Sequence, residues 1–217
     1  MPRNYDSPIR DARRAETRQR VVQVAGLLFA NLGYTATTLR MVARDARVSL
    51  ERVTAVGGKP ALLLAAFEDA INDGEPLGLI QRSDIAPAWA GDSLGEILAA
   101  LVTYVASSNE RVNALTAAWS EARRTDPELA AAYHRRMNDM RTAGREFVTE
   151  LVARGLVDPH VDPTAIADEF WAATHPTQYD LLVNLAGWSP ERFRTWLLER
   201  TIRLIPPPET PDGATAT

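Results

Sequence analysis

The chain has 217 residues, of which 46% are hydrophobic and 24% charged, and its formal net charge is −4. It has no cysteine, which excludes disulfides, thiolate metal ligands and cysteine catalysis. It also has no apolar run of about 18 residues and no secretory signal at its N-terminus, so the sequence predicts a cytoplasmic protein without a membrane span.

The charge is distributed unevenly along the chain. Residues 1–59 contain eleven basic and five acidic side chains, a net charge of +6, whereas the remaining residues carry −10. A polyanion would be attracted to the first region and repelled by the second. A solvated basic surface without a partner is the simpler alternative. The charge therefore indicates a polyanionic partner only together with a structural motif.

Helical periodicity recurs along most of the chain, and strand signals are nearly absent. The first helix is predicted over residues 17–31 and stops at Gly33. Its apolar stripe consists of residues three or four positions apart, namely Val21, Val24, Ala25, Leu28 and Leu32. Thr37 or Thr38 can cap the second helix and Ser49 the third, because each hydroxyl can accept an orphan backbone N–H.

Proline and glycine divide the rest of the chain. The third helix is predicted to end at Gly57-Gly58, and Pro60 suits the first turn of a fourth. Residues 74–91 predict a linker or long loop, and helices are expected around 94–105 and 109–124. Three later helix starts are predicted where a capping residue precedes a proline, at Asp126-Pro127, Asp162-Pro163 and Ser189-Pro190. About nine helices and no sheet predict an all-α fold.

The segment between Thr37 and Lys59 has the spacing of a helix-turn-helix unit. Such a unit needs a small residue where its helices cross, then a turn, then an apolar plug in the second helix. Ala43, Arg47-Val48-Ser49 and Val53 meet that spacing. A second helix that projects from the surface fits the major groove of DNA.

The block TR-x2-VV-x-VA-x2-LFANLGYTATTLRMVARDARVS, followed by Lys59-x2-Leu62, resembles the N-terminal region of TetR-family transcription regulators. The resemblance covers residues 17–62. It implies a non-enzymatic, cofactor-free repressor that binds a palindromic DNA operator as a homodimer and responds to a small-molecule effector. Two features depart from the family pattern, since Arg47 stands where glycine is usual and Thr54-Ala55-Val56 lacks the usual aromatic residue.

The resemblance also implies a division of the chain by function. Residues 1–60 are expected to form a DNA-binding domain, residues 61–205 a ligand-binding and dimerisation domain, and residues 206–217 a disordered tail. The late segments resemble those of actinobacterial regulators, in keeping with an arginine-rich composition.

The DNA-contact residues that the resemblance implies lie around the two short helices. They are Arg18, Thr37, Thr38, Arg40, Ser49, Leu50, Glu51, Arg52, Thr54 and Lys59. Thr37 and Thr38 would meet phosphate, Arg52 is expected to read guanine, and Glu51 could accept from cytosine. Lys59, the only lysine in the chain, would anchor phosphate.

Large polar-tipped side chains in the body are candidates for an effector cavity between helices. They are Tyr104, Trp119, Tyr133, Met137, Trp171, His175 and Tyr179. Packing in a helical core is the alternative for each of them. His175-Pro176 marks the most promising position, because a proline frees a backbone carbonyl and bends the helix axis.

The last helix carries more apolar residues than one buried face requires. The set comprises Phe193, Trp196, Leu197, Ile202, Leu204 and Ile205. A symmetry mate is expected to cover part of this surface, at Phe193, Trp196, Leu197 and Leu204.

Other constellations predict little chemistry. Gly91-Asp92-Ser93-Leu94-Gly95 matches a hydrolase elbow, but Ser93 with Glu96 reads better as a capping box. The three histidines lie far apart, so no metal site is expected. Two alternatives stay open. One is a regulator with a degenerate recognition helix that acts through protein contacts, and the other is a small helical hydrolase that uses Ser93.

Overall fold

The structure is a computed structural model that describes residues 8–75 and 78–208. Across these ranges the regular structure is helical throughout, and the all-α prediction is confirmed. The helices are α1 (Pro8–Ala36), α2 (Leu39–Asp45), α3 (Leu50–Val56), α4 (Lys59–Asn72), α5 (Ala86–Trp89), α6 (Leu94–Thr125), α7 (Pro127–Ala153), α8 (Pro163–Thr174), α9 (Pro176–Tyr179) and α10 (Pro190–Leu204). A 3₁₀ turn at Leu79–Gln81 precedes α5, and a π-helical stretch at Asp180–Leu185 follows α9.

The chain forms two compact units. The first unit comprises the chain up to Gly74 together with Ala114–Tyr133, and the second comprises Glu75–Asn113 and the chain from His134 onward. The predicted boundary at residue 60 falls inside the first unit, because α4 packs along α1. The assignment of DNA binding to residues 1–60 and of effector binding and dimerisation to 61–205 stays a prediction. Of the predicted tail, residues 209–217 lie outside the described residues.

The first helix begins earlier than predicted. It starts at Pro8, and its regular geometry breaks at Gly33, which has φ 81° and ψ 174°. The buried residues of α1 are Val21, Val22, Ala25, Phe29 and Tyr34. Leu32, expected in the apolar stripe, is instead exposed. The sequence missed the first turns because they have no apolar periodicity.

The predicted pair of helices at 94–105 and 109–124 is one continuous helix, α6. Neither proline nor glycine separates the two parts, so nothing forces a break. The later helix starts are confirmed, since Asp126 Oδ1 accepts from Leu129 N and Asp162 Oδ1 from Thr164 N. Ser189 Oγ likewise accepts from Arg192 N. At the His175-Pro176 position, where a bend is expected, the helix breaks, because His175 has an extended backbone between α8 and α9.

The last helix packs into its own unit. Phe193, Leu197, Thr201 and Ile205 are fully buried at a period of four residues, and the first two belong to a cluster with Val102 and Tyr179. Phe193 and Leu197 therefore offer no surface to a second copy, contrary to the prediction for those two residues. Trp196 and Leu204 are half-buried, and Ile202 is 47% exposed.

No helix within residues 8–75 and 78–208 is both long and apolar enough to cross a membrane. In the same ranges, no group of three or more histidine, aspartate or glutamate side chains could hold a metal ion.

Candidate nucleic-acid interface

A short helix pair with two hydroxyl caps forms the candidate interface. Thr38 Oγ1 accepts from Met41 N at 3.2 Å at the start of α2, and Ser49 Oγ accepts from Arg52 N at 3.3 Å at the start of α3. Each cap satisfies a backbone donor that the helix itself leaves free. Val53 is completely buried and holds α3 against the unit, as the motif predicts.

The turn between the two helices has the left-handed backbone that the motif expects. Arg47 has φ 55°, a conformation that costs a residue with a Cβ roughly 1 kcal/mol relative to glycine. The turn closes by Val48 N donating to Ala43 O at 3.0 Å. The chain therefore forms the turn between α2 and α3 without any glycine.

The outer face of α3 carries the predicted base-contact residues. Leu50, Glu51, Arg52 and Thr54 are all exposed. The Thr54 hydroxyl donates to Leu50 O at 2.8 Å and so serves the helix backbone. Glu51 and Arg52 thus provide the charged groups with the longest reach on this face. Ala55, near the end of α3, is also exposed. It belongs to the Thr54-Ala55-Val56 segment, which lacks an aromatic residue.

The two threonines before α2 differ in what they can contact. Thr38 is exposed at the helix N-terminus, where a phosphate would be favoured by free backbone donors. Thr37 is 1% exposed, and its hydroxyl donates to Gly33 O at 2.8 Å, so it stabilises the bend that follows α1. Arg18 and Arg40 are exposed, in α1 and α2 respectively.

Lys59 lies at the start of α4, and its ammonium group is engaged within the unit. Nζ donates to Thr35 O at 3.1 Å and lies 4.3 Å from the centroid of the Tyr34 ring. Partial burial lowers the pKa of Lys59, while the nearby Glu121 carboxylate acts in the opposite direction. Lys59, which is predicted to bind phosphate, therefore connects the start of α4 to the end of α1, close to where α2 begins.

Glu121, in the α6 part of the same unit, completes this junction. Its carboxylate accepts from Tyr34 N at 2.9 Å and from Thr35 N at 3.2 Å. A hydrogen bond from the Thr35 side chain is the largest cause that lowers the pKa of Glu121; the two backbone N–H groups and the charge of Lys59 lower it further. We call Tyr34, Thr35, Lys59 and Glu121 the junction cluster.

Tyr34 is the buried centre of the junction cluster. It is 8% exposed, and its ring stacks on Phe29 with centroids 5.8 Å apart. Burial raises the pKa of Tyr34 to about 12, with further contributions from Asp126 and Glu128. Sequence reasoning missed Glu121 and Asp126, because both follow Tyr34 by more than 80 residues and no local pattern links them.

The predicted effector residues are divided between the two units. Trp119 and Tyr133 belong to the first unit, where their rings lie 6.2 Å apart and Trp119 also contacts Phe67. Five others belong to the second unit, namely Tyr104, Met137, Trp171, His175 and Tyr179. The structure therefore does not gather all seven within one unit.

Within the second unit, several of these residues pack in the core. Tyr104 lies under the buried Arg82 guanidinium at 4.1 Å, and Tyr179 contacts Phe193 edge-on at 5.1 Å. Trp171 and His175 contact each other at 5.5 Å beside the break between α8 and α9. His175 Nδ1 accepts from Thr177 N, so its ring caps α9.

Some buried polar atoms near these helices make no hydrogen bond within the described residues. They are Asn113 Oδ1, Trp119 Nε1, Arg136 Nε and Trp171 Nε1. An unpaired buried donor or acceptor costs about 1–3 kcal/mol, so such atoms gain from a bound polar group. Asn113 and Arg136 have no local sequence signal that separates them from surface polar residues.

Ser93 acts as a helix cap in the structure. Its Oγ accepts from Glu96 N at 3.3 Å, directly before α6 begins at Leu94. A hydrolase elbow requires a strand before the serine, and the described residues contain none. The geometry thus agrees with the capping interpretation.

The fold is that of TetR-family transcriptional regulators, as comparison with solved structures shows. A protein from Rhodococcus sp. that is assigned to this family superposes with a TM-score of 0.70 at 18% identity, covering 88% of this chain and 100% of that one. A TetR transcriptional regulator from Chloroflexus aurantiacus gives 0.63 at 22% identity, with coverages of 89% and 98%. SmeT in its complex with triclosan gives 0.64 at 17% identity, with coverages of 91% and 98%. No family model and no curated protein matches the sequence.

Proposed function

We propose that this chain is a DNA-binding transcriptional regulator that binds a palindromic operator as a homodimer. The observation that carries the proposal is the capped α3 helix, which presents Glu51 and Arg52 to solvent within a region of net charge +6. A projecting helix with exposed hydrogen-bonding side chains is suited to the major groove. The fold shared with TetR-family regulators supports the same use of α3.

The proposed contacts differ in kind. Arg52 would donate two parallel hydrogen bonds to guanine, and Glu51 would accept from cytosine. Thr38, Arg18 and Arg40 would meet phosphate and set the register of α3 on the duplex. Lys59 has a different role in this proposal, because its ammonium group already binds Thr35 O. It holds the junction cluster and so orients α2 and α3.

A homodimer would form through surface that the last two helical segments leave exposed. Leu181 and Leu185 of the π-helical stretch are 46% and 73% exposed, and Ile202 of α10 is also exposed. Trp196 and Leu204 are the half-buried neighbours from the predicted set. Large exposed aliphatic side chains on adjoining elements are typical of a surface that another copy covers.

Regulation by a small molecule is the second part of the proposal. Arg136 Nε and Trp171 Nε1 are unpaired buried donors in the second unit, and Asn113 Oδ1 is an unpaired acceptor. They favour an effector with both kinds of polar group on a largely apolar body. SmeT, which shares the fold, forms a complex with triclosan. An effector would act by changing the separation of two α3 helices, which must match half-sites about 34 Å apart.

One binding experiment tests the main proposal. The full chain is titrated onto duplex DNA from upstream of its own coding sequence, and onto a scrambled duplex, across a range of salt concentrations. We expect tighter binding to the native fragment, and a logarithm of affinity that falls steeply with the logarithm of salt concentration. Equal and weak binding to both duplexes at every salt concentration would sink the proposal.

A second candidate is a regulator that acts through protein contacts and no longer reads DNA. It is favoured by the absence of an aromatic residue from α3 and by the engagement of Lys59 within its own unit. The same titration separates the two candidates, since the degenerate regulator would show no preference for the native fragment.

A further inference from the structure

Residues 10–20 of α1 form a basic helical segment without a buried side chain. From Arg10 to Arg20 every residue is exposed except the half-buried Thr17, and the first buried residue after this segment is Val21. Where the segment meets the rest of the first unit, Gln19 Nε2 donates to Asp69 Oδ1 of α4 at 2.6 Å. We call residues 10–20 the basic arm.

The basic arm has a strong excess of positive charge. It contains five arginines and two acids, a net charge of +3. Arg10, Arg14 and Arg18 are four residues apart and therefore lie on one face of the helix. From Val21 onward, the same face of the helix carries buried apolar residues. Before Val21, arginines occupy the positions of this face. Asp11 lies 3.9 Å from Arg14, which is a loose and exposed ion pair.

Three features of the basic arm oppose helix formation by the chain alone. It buries no apolar face, Arg10 lies in the first turn at the positive end of the helix dipole, and like charges recur at a spacing of four. The last two penalties fall when an array of negative charges lies along the arginine row. Charge complementarity therefore indicates a polyanion as the partner.

We propose that the basic arm binds the phosphate backbone of duplex DNA beside the base pairs contacted by α3. This inference rests on the proposed function and extends the phosphate contact of Arg18 to Arg10 and Arg14, which lie before the helix-turn-helix motif. The row from Arg10 to Arg18 rises about 12 Å, at 1.5 Å for each residue. Phosphates of one strand follow at about 3.4 Å along the duplex axis, so the row is long enough for each of its three arginines to face a different phosphate. Such contacts add affinity without adding sequence preference.

The test compares two full-length triple variants with the wild-type chain. The arm variant carries Arg10→Gln, Arg14→Gln and Arg18→Gln, since glutamine has a helix propensity close to that of arginine. The control carries Arg135→Gln, Arg145→Gln and Arg194→Gln, which remove three exposed arginines from the second unit. Each protein is titrated onto the native upstream duplex and onto single-base variants of it, across a range of salt concentrations. Binding to vesicles of phosphatidylserine and phosphatidylcholine is measured in parallel.

We expect the arm variant alone to lose about three units of salt slope for each protomer, at about 0.9 for each phosphate contact, with base preference retained. Amide hydrogen exchange over residues 10–20 should also slow when the wild-type chain binds DNA. If the arm variant keeps the wild-type slope on a duplex that it still recognises, the inference is wrong and the proposed function stands. If the wild-type chain binds no duplex, both fail. Loss of vesicle binding with an unchanged DNA slope would assign the arm to anionic membranes and overturn the inference.

Discussion

Replacing Lys59 by methionine distinguishes the role that the motif implies from the role that the structure indicates. Methionine keeps an unbranched apolar side chain but removes the ammonium group. The variant loses the hydrogen bond to Thr35 O at 3.1 Å and the contact with the Tyr34 ring at 4.3 Å. A cation–π contact at an exposed site contributes about 0.5–1 kcal/mol, and a partly exposed hydrogen bond contributes a similar amount.

We therefore expect Lys59→Met to lower the free energy of unfolding by about 1–2 kcal/mol. For a unit of this size, each kcal/mol corresponds to a fall of roughly 4–8 °C in Tm. Thermal unfolding followed by circular dichroism measures the change in stability. A salt titration of DNA binding measures any loss of a phosphate contact. We expect the salt slope to stay unchanged, because Thr35 O and the Tyr34 ring hold the ammonium group against its own unit.

Arg52→Ala is the matched control for this experiment. Arg52 is exposed, so its removal should leave Tm unchanged while DNA affinity falls. The reasoning about Lys59 is refuted if Lys59→Met leaves Tm unchanged and lowers the salt slope by about 0.9 for each protomer, the value of one phosphate contact. Because Lys59 is the only lysine, selective isotope labelling also gives a single ammonium signal whose environment can be followed directly.

Three further predictions address base recognition, the buried tyrosine and assembly. Arg52→Ala should remove about 1–3 kcal/mol of base discrimination in each half-site, and an unchanged preference among single-base operator variants would show that α3 does not read DNA. Burial raises the pKa of Tyr34 to about 12, so the folded state holds this proton more tightly than the unfolded state. Stability should therefore be lost as pH rises from about 10 through 12, and in denaturant titrations Tyr34→Phe should lack that part of the loss. Ile202→Glu should yield a folded monomer in sedimentation, whereas Leu197→Glu should impair folding itself, since Leu197 is fully buried. A dimer that survives Ile202→Glu would exclude Ile202 from the interface.

Local chemistry made the helix starts and the short helix pair predictable. Ser49, Asp162 and Ser189 each precede a helix and accept the backbone hydrogen bond expected of a cap. Arg47 shows that the spacing of the turn was read correctly despite the absence of glycine. These features depend on residues within a few positions of one another, which is the range over which a single sequence is informative.

The junction cluster could not be predicted, because its members are far apart in the chain. Glu121 reaches Tyr34 across 87 residues, and nothing in the local pattern of either segment indicates the contact. Lys59 was accordingly expected to be free for phosphate. The basic arm was missed for the opposite reason, since a helix that buries nothing has no apolar period to detect.

The last helix illustrates a third difficulty. Apolar residues on several of its faces predicted more than one buried surface, but the sequence could not decide which residues face the chain's own core. The structure assigns Phe193 and Leu197 to that core, and it leaves Ile202 exposed. Only the packing of α10 on neighbouring helices makes this distinction.

The central claim, that α3 lies in the major groove, can be tested with a cleavage reagent attached to the helix. Because the chain has no cysteine, Ala55→Cys supplies a single attachment point on the exposed face of α3. Ala143→Cys, exposed on α7, is the matched control. The account predicts that a DNA-cleaving chelate on residue 55 cuts the native upstream duplex at two major-groove positions about 34 Å apart, while the same chelate on residue 143 does not. Equal cleavage from both positions, or none from residue 55 on a duplex that the protein binds, would contradict it.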